Sequence, residues 1–382
     1  MNIALFASAF HPHVGGVEEL VRQLAHSYKA KGHGVIVVTN KWPQDLSDFE
    51  EFEGISLYRL PMRLPTGTIK EQLKFKLSFN ATERRMLDVL KEHKIDIIHI
   101  QCVSANGYYA HRAATALGLP LVVTTQGERT MDAGKIYQRS PFMNQMLRNL
   151  LPGSAHITAC SGHTLKDLET WYGKPFEATS GVIYNGIDLS NFEPARPYSH
   201  PKPYILGIGR LVPQKGFDVL IRAFGVATLP DHDLLIAGEG PDRVELEQLA
   251  QELKLSDKVH FVGRADRPTA ISLFQGCSFF VLPSRQEPQG IVNLEAMAAG
   301  KAVVASRVGG VPEIVLDNEV GILVEAEDVD SMASALRSVA SSDDLRLKLG
   351  KAGRARAEQF DWKAIADQYV AIYSRAVGAT HA

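Results

Sequence analysis

What most limits how this chain can fold is an alternation of short apolar runs with amphipathic stretches, played through twice. Val35-Ile36-Val37-Val38 is continuous and apolar, Leu121-Val122-Val123-Thr124 ends on one threonine, and Ile95–Ile100 is apolar apart from Asp96 and His99. A strand with one wet face alternates polar and apolar residues. An unbroken run suits a parallel strand covered on both faces. The opening segment, Asn2–Ala7, is of the same kind and has no basic residues before it. It reads as a buried first strand rather than a signal peptide. The clearest amphipathic stretch begins at Val17 and places Leu20, Val21, Leu24, Ala25 and Tyr28 on one helical stripe, with Gly32 after the last turn. Strand alternating with helix in this way predicts a doubly wound, parallel-sheet α/β architecture.

The pattern starts again after residue 190. Pro194, Pro197, Pro201 and Pro203 crowd a segment that follows the turn Asn185-Gly186-Ile187-Asp188. Such crowding reads as an interdomain linker. A second series follows: Tyr204–Gly209, Asp233–Ala237, Val259–Gly263, Phe279–Leu282, Ala302–Ala305 and Gly321–Val324. A length of 382 residues fits two domains. Their expected bounds are 1–188 and 189–361, with a cleft between two halves of similar size.

Composition narrows the partners. Forty-one Lys and Arg against 43 Asp and Glu give a net charge of −2, so bulk nucleic-acid binding is excluded. The three cysteines, Cys102, Cys160 and Cys277, lie far apart with no CxxC. A disulfide framework or a cysteine zinc site is not expected; buried, inert thiols in a reducing cytoplasm are. No apolar run reaches about 18 residues, so no membrane-spanning helix is expected. The stretch 59–94 carries nine Lys or Arg and four acids. A solvated helix surface is the simpler reading. A patch for an anionic acceptor, or for peripheral contact with the inner face of a membrane, is the other.

Four segments carry chemistry. Gly15-Gly16-Val17-Glu18 joins the first strand to the first strong helix, and its glycines would turn backbone amides outward at a helix N-terminus, toward a phosphate or sugar. A plain tight turn explains it as well. In Gly207–Gly216, Arg210 follows a strand and Lys215 precedes a helix. Two cations at the carboxyl end of a strand can hold a diphosphate, or can be ordinary surface charges. In the third segment Glu287 and Glu295 are separated by seven residues, and Gly290 opens a helix that ends near Gly300. Amides of Gly290, Ile291 and Val292 would then point out of a positive helix end. Glu287 could accept hydrogen bonds from sugar hydroxyls and Glu295 could take both hydroxyls of a ribose. The apolar neighbours of Glu295 also suit a buried, partnered acid. In the fourth, Gly309-Gly310-Val311-Pro312-Glu313, Pro312 fits a first helical turn. That segment would supply another phosphate-facing amide or be structural.

Taken together the segments resemble the family-4 glycosyltransferases, over nearly the whole chain. The resemblance rests on the Arg210…Lys215-Gly216 segment, the E-x7-E segment with its E-A-M-A-A-G ending, G-G-V-P-E, the N-G-I-D turn at Asn185, and Phe360-Asp361-Trp362. It implies two Rossmann-like domains facing a cleft (the GT-B fold). It also implies transfer of a sugar from a nucleotide diphosphate donor with retention of anomeric configuration. Arg210 and Lys215 would grip the diphosphate, Glu287 the sugar and Glu295 the ribose. Gly15 and Gly16 would approach the phosphates, and Arg264 would border the base. The final helix, within about 362–382, would return to the first domain. Relatives often carry a histidine where this chain has Gln126, and two histidines where it has His99-Ile100-Gln101. Gln126 can still hydrogen-bond a sugar but does not titrate near neutrality.

The chemistry needs no metal. Breaking a sugar–phosphate bond leaves negative charge on the diphosphate, and preorganised cations and helix-end amides stabilise it. Neither metal nor cofactor is therefore expected. Asp231-His232-Asp233 has the D-x-D form of metal-dependent transferases, but its place after Pro230 favours a loop. A double displacement would need a carboxylate on the far side of the sugar. Glu128 is the one to check, and a same-face attack assisted by the departing phosphate is the working route. The expected donor is UDP-glucose or a similar UDP-sugar, with GDP-mannose as the other choice. The acceptor would be a glycan, a lipid-linked glycan or a small-molecule hydroxyl. Competing functions are a sugar-nucleotide epimerase on the same fold and a non-catalytic sugar-nucleotide-binding subunit. A nicotinamide oxidoreductase is disfavoured because no GxGxxG follows a strand.

Overall fold

The apolar runs are parallel strands, as a computed structural model describing residues 1–13, 15–128, 136–194 and 196–380 shows. The chain divides into two units, Met1–Tyr184 with Trp362–Ala382, and Asn185–Asp361.

In the first unit the strands are β1 (Asn2–Ala7), β2 (Gly34–Asn40), β3 (Phe49–Phe52), β4 (Ile55–Leu60), β5 (Ile97–Gln101), β6 (Leu121–Thr125), β7 (His156–Ala159) and β8 (Ser180–Val182). Their order in the sheet is β3-β4-β2-β1-β5-β6-β7-β8. All pairings are parallel except β3 with β4. Alternate residues feed two cores. Phe6, Val38, Ile98, Ile100 and Val123 face one layer; Leu5, Val37, Ile97 and Val122 face the other. That two-sided burial is why the runs are unbroken. The helix Gly16–Ala30 buries the stripe Leu20, Val21, Leu24, Ala25 and Tyr28.

The last helix, Trp362–Thr380, belongs to this unit; the expected tail at 381–382 lies outside the described residues. It buries Trp362, Ile365, Ala366, Tyr369, Ile372 and Tyr373 in the second of the two layers. A buried polar chain fixes it. Tyr28 and Tyr373 hydroxyls lie 2.8 Å apart, and Tyr373 Oη is 2.5 Å from His99 Nδ1. His99 Nε2 is 2.7 Å from Thr124 Oγ1.

Burial lowers the His99 pKa from the ordinary 6.5 to about 3. The folded chain therefore keeps this ring neutral where the unfolded chain would protonate it. The stability it contributes is complete above pH 6.5 and falls as pH drops from there toward 3, by up to about 1.4 kcal/mol per pH unit. Denaturation across that window should show His99→Asn with a shallower loss than wild type. Equal slopes would contradict the neutral-ring assignment.

Two expectations change here. Arg59 is not on a solvated helix: it lies in β4, is 1% exposed, and donates to the His11 and Ser47 carbonyls and the Glu50 carboxylate. The helix that follows is Ile69–Glu92, started by a Thr68–Glu71 capping box. The proline-rich segment lies inside the second unit, because the division falls after Tyr184. The Asn185 backbone is clamped from both sides by the Gln289 amide (2.8 and 3.0 Å), and Ile187 N–H donates to the Phe360 carbonyl. The N-G-I-D turn thus starts the second unit instead of ending the first.

The second unit holds β9 (Tyr204–Ile208), β10 (Asp233–Ala237), β11 (Val259–Gly263), β12 (Phe279–Leu282), β13 (Val303–Ser306) and β14 (Ile322–Val324). The order is β11-β10-β9-β12-β13-β14, parallel throughout. Asp231 and His232 sit in the turn before β10, but Asp233 is a buried strand residue, so the loop reading of the D-x-D segment holds for only two of its three positions. Cys160 and Cys277 are buried and Cys102 half-buried, all as free thiols. Burial pushes the Cys277 pKa up to about 12 and raises that of Cys102. Among the described residues no helix is long and apolar enough to cross a membrane.

Candidate active site

The chain leaves β9 for β10 and β11 on one side, then returns to build β12, β13 and β14 on the other. The strand order reverses between β9 and β12. In open α/β sheets that reversal leaves a crevice at the carboxyl ends of the strands, because the two connecting loops run apart. The loop after β9 carries Arg210 and Lys215; the loop after β12 carries Glu287.

These loops are tied together. Arg285 N–H donates to the Gln214 carbonyl at 2.8 Å. The Arg285 side chain holds Asp218 in a two-pronged pair, 2.8 Å on each prong, and also reaches Glu327 and the Pro213 carbonyl. The Arg285 hydrogen bonds hold the Asp218 carboxyl below the usual carboxylate range. Lys215 Nζ donates to Glu287 Oε2 at 2.5 Å, and Ser284 Oγ adds a weaker contact at 3.3 Å. Lys215 and Glu287 side chains are 14% and 9% exposed, so the pair is largely withdrawn from water. Glu287, expected as a carboxylate for sugar hydroxyls, thus already has a cation on one oxygen. Arg210 is exposed and, among the described residues, makes no ion pair or hydrogen bond through its side chain.

The helix Ile291–Ala298 begins at Gly290, whose φ is +86°. Only Asn293 N–H turns back, to the Gly290 carbonyl. The amides of Gly290, Ile291 and Val292 donate to no described protein acceptor, as the helix-end argument requires. Behind them Asn293 is wholly buried with neither side-chain polar atom hydrogen-bonded. Gly309 and Gly310 brace the Glu287 loop. Gly310 N–H donates to the Glu287 carbonyl at 3.1 Å, so this segment supports the loop instead of offering that amide to a phosphate. Glu295 is 13% exposed and ion-paired to Arg267, which also lies over the Phe192 ring. Arg264 is exposed just beyond β11.

The remaining candidates lie in the first unit. Gly15 caps the helix Gly16–Ala30 in extended conformation, and a Cβ at Gly16 would meet nothing within 4 Å. Gln126 follows β6; its side chain donates to Gln101 Oε1 at 3.3 Å. Glu128 accepts from the amides of Val103 (2.7 Å) and Gln126 (2.9 Å). Its pKa is raised by burial, against the pull of those amides. Both oxygens are thus occupied in bracing loops, which is poor preparation for a nucleophile. Sequence reasoning missed Arg285, Gln289 and Arg267, which hold the site from behind. No local pattern marks them, since each acts on a residue far along the chain.

Comparison with known proteins supplies the class, a glycosyltransferase. The family described as Glycosyltransferase Family 4 matches residues 14–191, and that described as Glycosyl transferases group 1 matches 191–356. The chain is 30% identical to a phosphatidyl-myo-inositol mannosyltransferase of Mycolicibacterium smegmatis, over 96% of this chain and 91% of that one. It is 27% identical to a GDP-mannose-dependent monoacylated α-(1-6)-phosphatidylinositol monomannoside mannosyltransferase of Corynebacterium glutamicum, over 94% of each. The fold superposes with a TM-score of 0.77 on Anabaena HepE, solved with UDP-glucose, at 21% identity and covering 98% and 99% of the two chains. The chain belongs to the family-4 glycosyltransferases and has their GT-B fold.

Proposed function

We propose that this glycosyltransferase moves a hexose, with retention, from a UDP-hexose, UDP-glucose foremost, to a hydroxyl of a glycan, lipid-linked glycan or small molecule. The reading is carried by the Lys215–Glu287 pair at the β9/β12 reversal, beside the free amides of Gly290, Ile291 and Val292. Lys215 keeps two further N–H groups for a diphosphate, and Arg210 keeps all of its donors. The amides face the developing charge without reorganising, which is where such groups act most strongly. Glu287 holds Lys215 in place and offers its second oxygen to the sugar. Arg267 steadies Glu295 toward the ribose, with Arg264 near the base. Because Glu128 is engaged by two backbone amides, the acceptor hydroxyl attacks from the face the diphosphate leaves, and the departing phosphate takes its proton. A second reading, GDP-mannose, is favoured by the mannosyl names of both sequence relatives.

Thermal shift and product formation should be followed with UDP-glucose and GDP-mannose, without added magnesium or manganese and after brief EDTA treatment. UDP-glucose is expected to stabilise the enzyme and be consumed at an undiminished rate in EDTA, giving a product of unchanged anomeric configuration by NMR. Response to GDP-mannose alone would move the assignment to the second reading. Dependence on added divalent metal would refute the cationic leaving-group site.

The acceptor side is supported by the helix Ile69–Glu92. Ile69, Leu73 and Leu77 are 86%, 57% and 77% exposed, and their four-residue spacing sets them in one line. Lys70, Lys74 and Lys76 accompany them. An apolar line with basic neighbours suits the surface of an anionic membrane. Co-sedimentation with phosphatidylglycerol vesicles is expected for wild type and lost in Leu73→Asp/Leu77→Asp. Equal sedimentation of both would leave this helix without that role.

A further inference from the structure

At the opposite end of the second sheet lies a cluster that sugar transfer does not use. His200 precedes β9, Asp233 opens β10 and His260 is the second residue of β11. These three strands are adjacent, so the residues meet at the amino ends of the strands. Arg210 and Lys215 follow the carboxyl end of β9, about 16 Å away for strands of this length.

His200 Nε2 is 2.8 Å and His260 Nε2 3.3 Å from the same oxygen, Asp233 Oδ2. All three ligand atoms lie within 4.8 Å of one another. Two imidazole nitrogens and a carboxylate oxygen around a tetrahedral zinc would be separated by about 3.3 Å, given bonds near 2.1 Å. Small outward movements of the rings would reach that spacing. The other carboxylate oxygen gives a second, independent sign. Asp233 is 5% exposed, and its Oδ1 is shut off from water with no hydrogen-bond donor. Such an atom ordinarily finds a partner. The nearest cation, Lys202 Nζ, stands 3.7 Å from it on a half-exposed side chain. That distance is too long for a hydrogen bond, and Lys202 is free to swing away.

We propose that His200, Asp233 and His260 form a binding site for one divalent transition-metal ion, with zinc as the probe. Two imidazoles and one carboxylate are a donor set suited to such ions, and the 39% exposure of the His260 side chain leaves a way in and room for a water as fourth ligand. The ion would pin the segment before β9 to β10 and β11. Its role is structural, because the site lies a strand's length from the transfer chemistry.

The test uses untagged full-length protein stripped with a chelator and titrated calorimetrically with zinc sulfate. Wild type is expected to take up one equivalent and to melt at a higher temperature with zinc, by mass action. His260→Ala, which alters an accessible side chain, should weaken binding at least about 10-fold and abolish the thermal shift. His200→Ala should do the same, and Lys202→Ala should tighten binding by removing a competing cation. Turnover should be equal with and without zinc, which separates this site from the donor site. Absence of saturable one-equivalent binding at micromolar zinc, or undiminished binding in His260→Ala, would overturn the assignment.

Discussion

Lys215→Ala is expected to lower turnover by at least about 10²-fold, the typical loss when one preorganised contact to developing charge is removed. It should also lower the melting temperature. Glu287 is only 9% exposed and would be left as a buried carboxylate without its cation. Breaking a buried pair from one side costs about 3–5 kcal/mol, less here because both partners keep some contact with water. Arg210→Ala makes the comparison clean. Its side chain is exposed and unpaired among the described residues, so its loss should leave the melting temperature unchanged while turnover falls about 10²-fold. Turnover per folded molecule, with melting measured alongside, separates the two effects. Wild-type rates in both variants would remove the diphosphate assignment.

The contrast between these residues shows what the sequence makes readable. Strand positions were legible because burial on two faces leaves an unbroken apolar run, as at β1, where every residue from Ile3 to Ala7 is apolar and buried. The cations after β9 and the acids around Gly290 were legible because their spacing along the chain is short and set by a strand end and a helix start. Pairing was not legible. Lys215 finds Glu287 across 72 residues, and Asn185 finds Gln289 across 104. Only the strand order brings those loops together, and periodicity says which residues are buried without saying which strand lies next to which. Arg59 misled for a related reason: a count of nearby charges cannot distinguish a helix surface from a strand whose arginine satisfies two carbonyls. Asp233 escaped notice as a ligand because its two histidine neighbours are 33 and 27 residues away.

Gly309→Ala tests whether the Glu287 loop must sit where it does. Gly309 has φ +55°, and a Cβ there would lie 1.8 Å from the Glu287 carbonyl oxygen and 2.9 Å from its carbon. Both are backbone atoms, so no side chain can rotate away. Either residue 309 or the Glu287 loop must move by more than an ångström, and the Gly310 hydrogen bond to the same carbonyl would be strained or lost. The left-handed backbone alone costs an alanine about 1–2 kcal/mol. The displacement adds to that and carries Glu287 away from Lys215. A shift of that size at a reacting centre lowers turnover by about 10²-fold. Gly300→Ala is the control. Its φ is +70°, yet a Cβ would meet nothing within 4 Å. It bears the same conformational strain without the collision, so it should lose a few degrees of melting temperature and keep its turnover. Melting and steady-state rates on the two variants give the answer. If Gly309→Ala matches Gly300→Ala in both, the loop is free to yield, and the placement of Glu287 does not depend on the Gly309 contact.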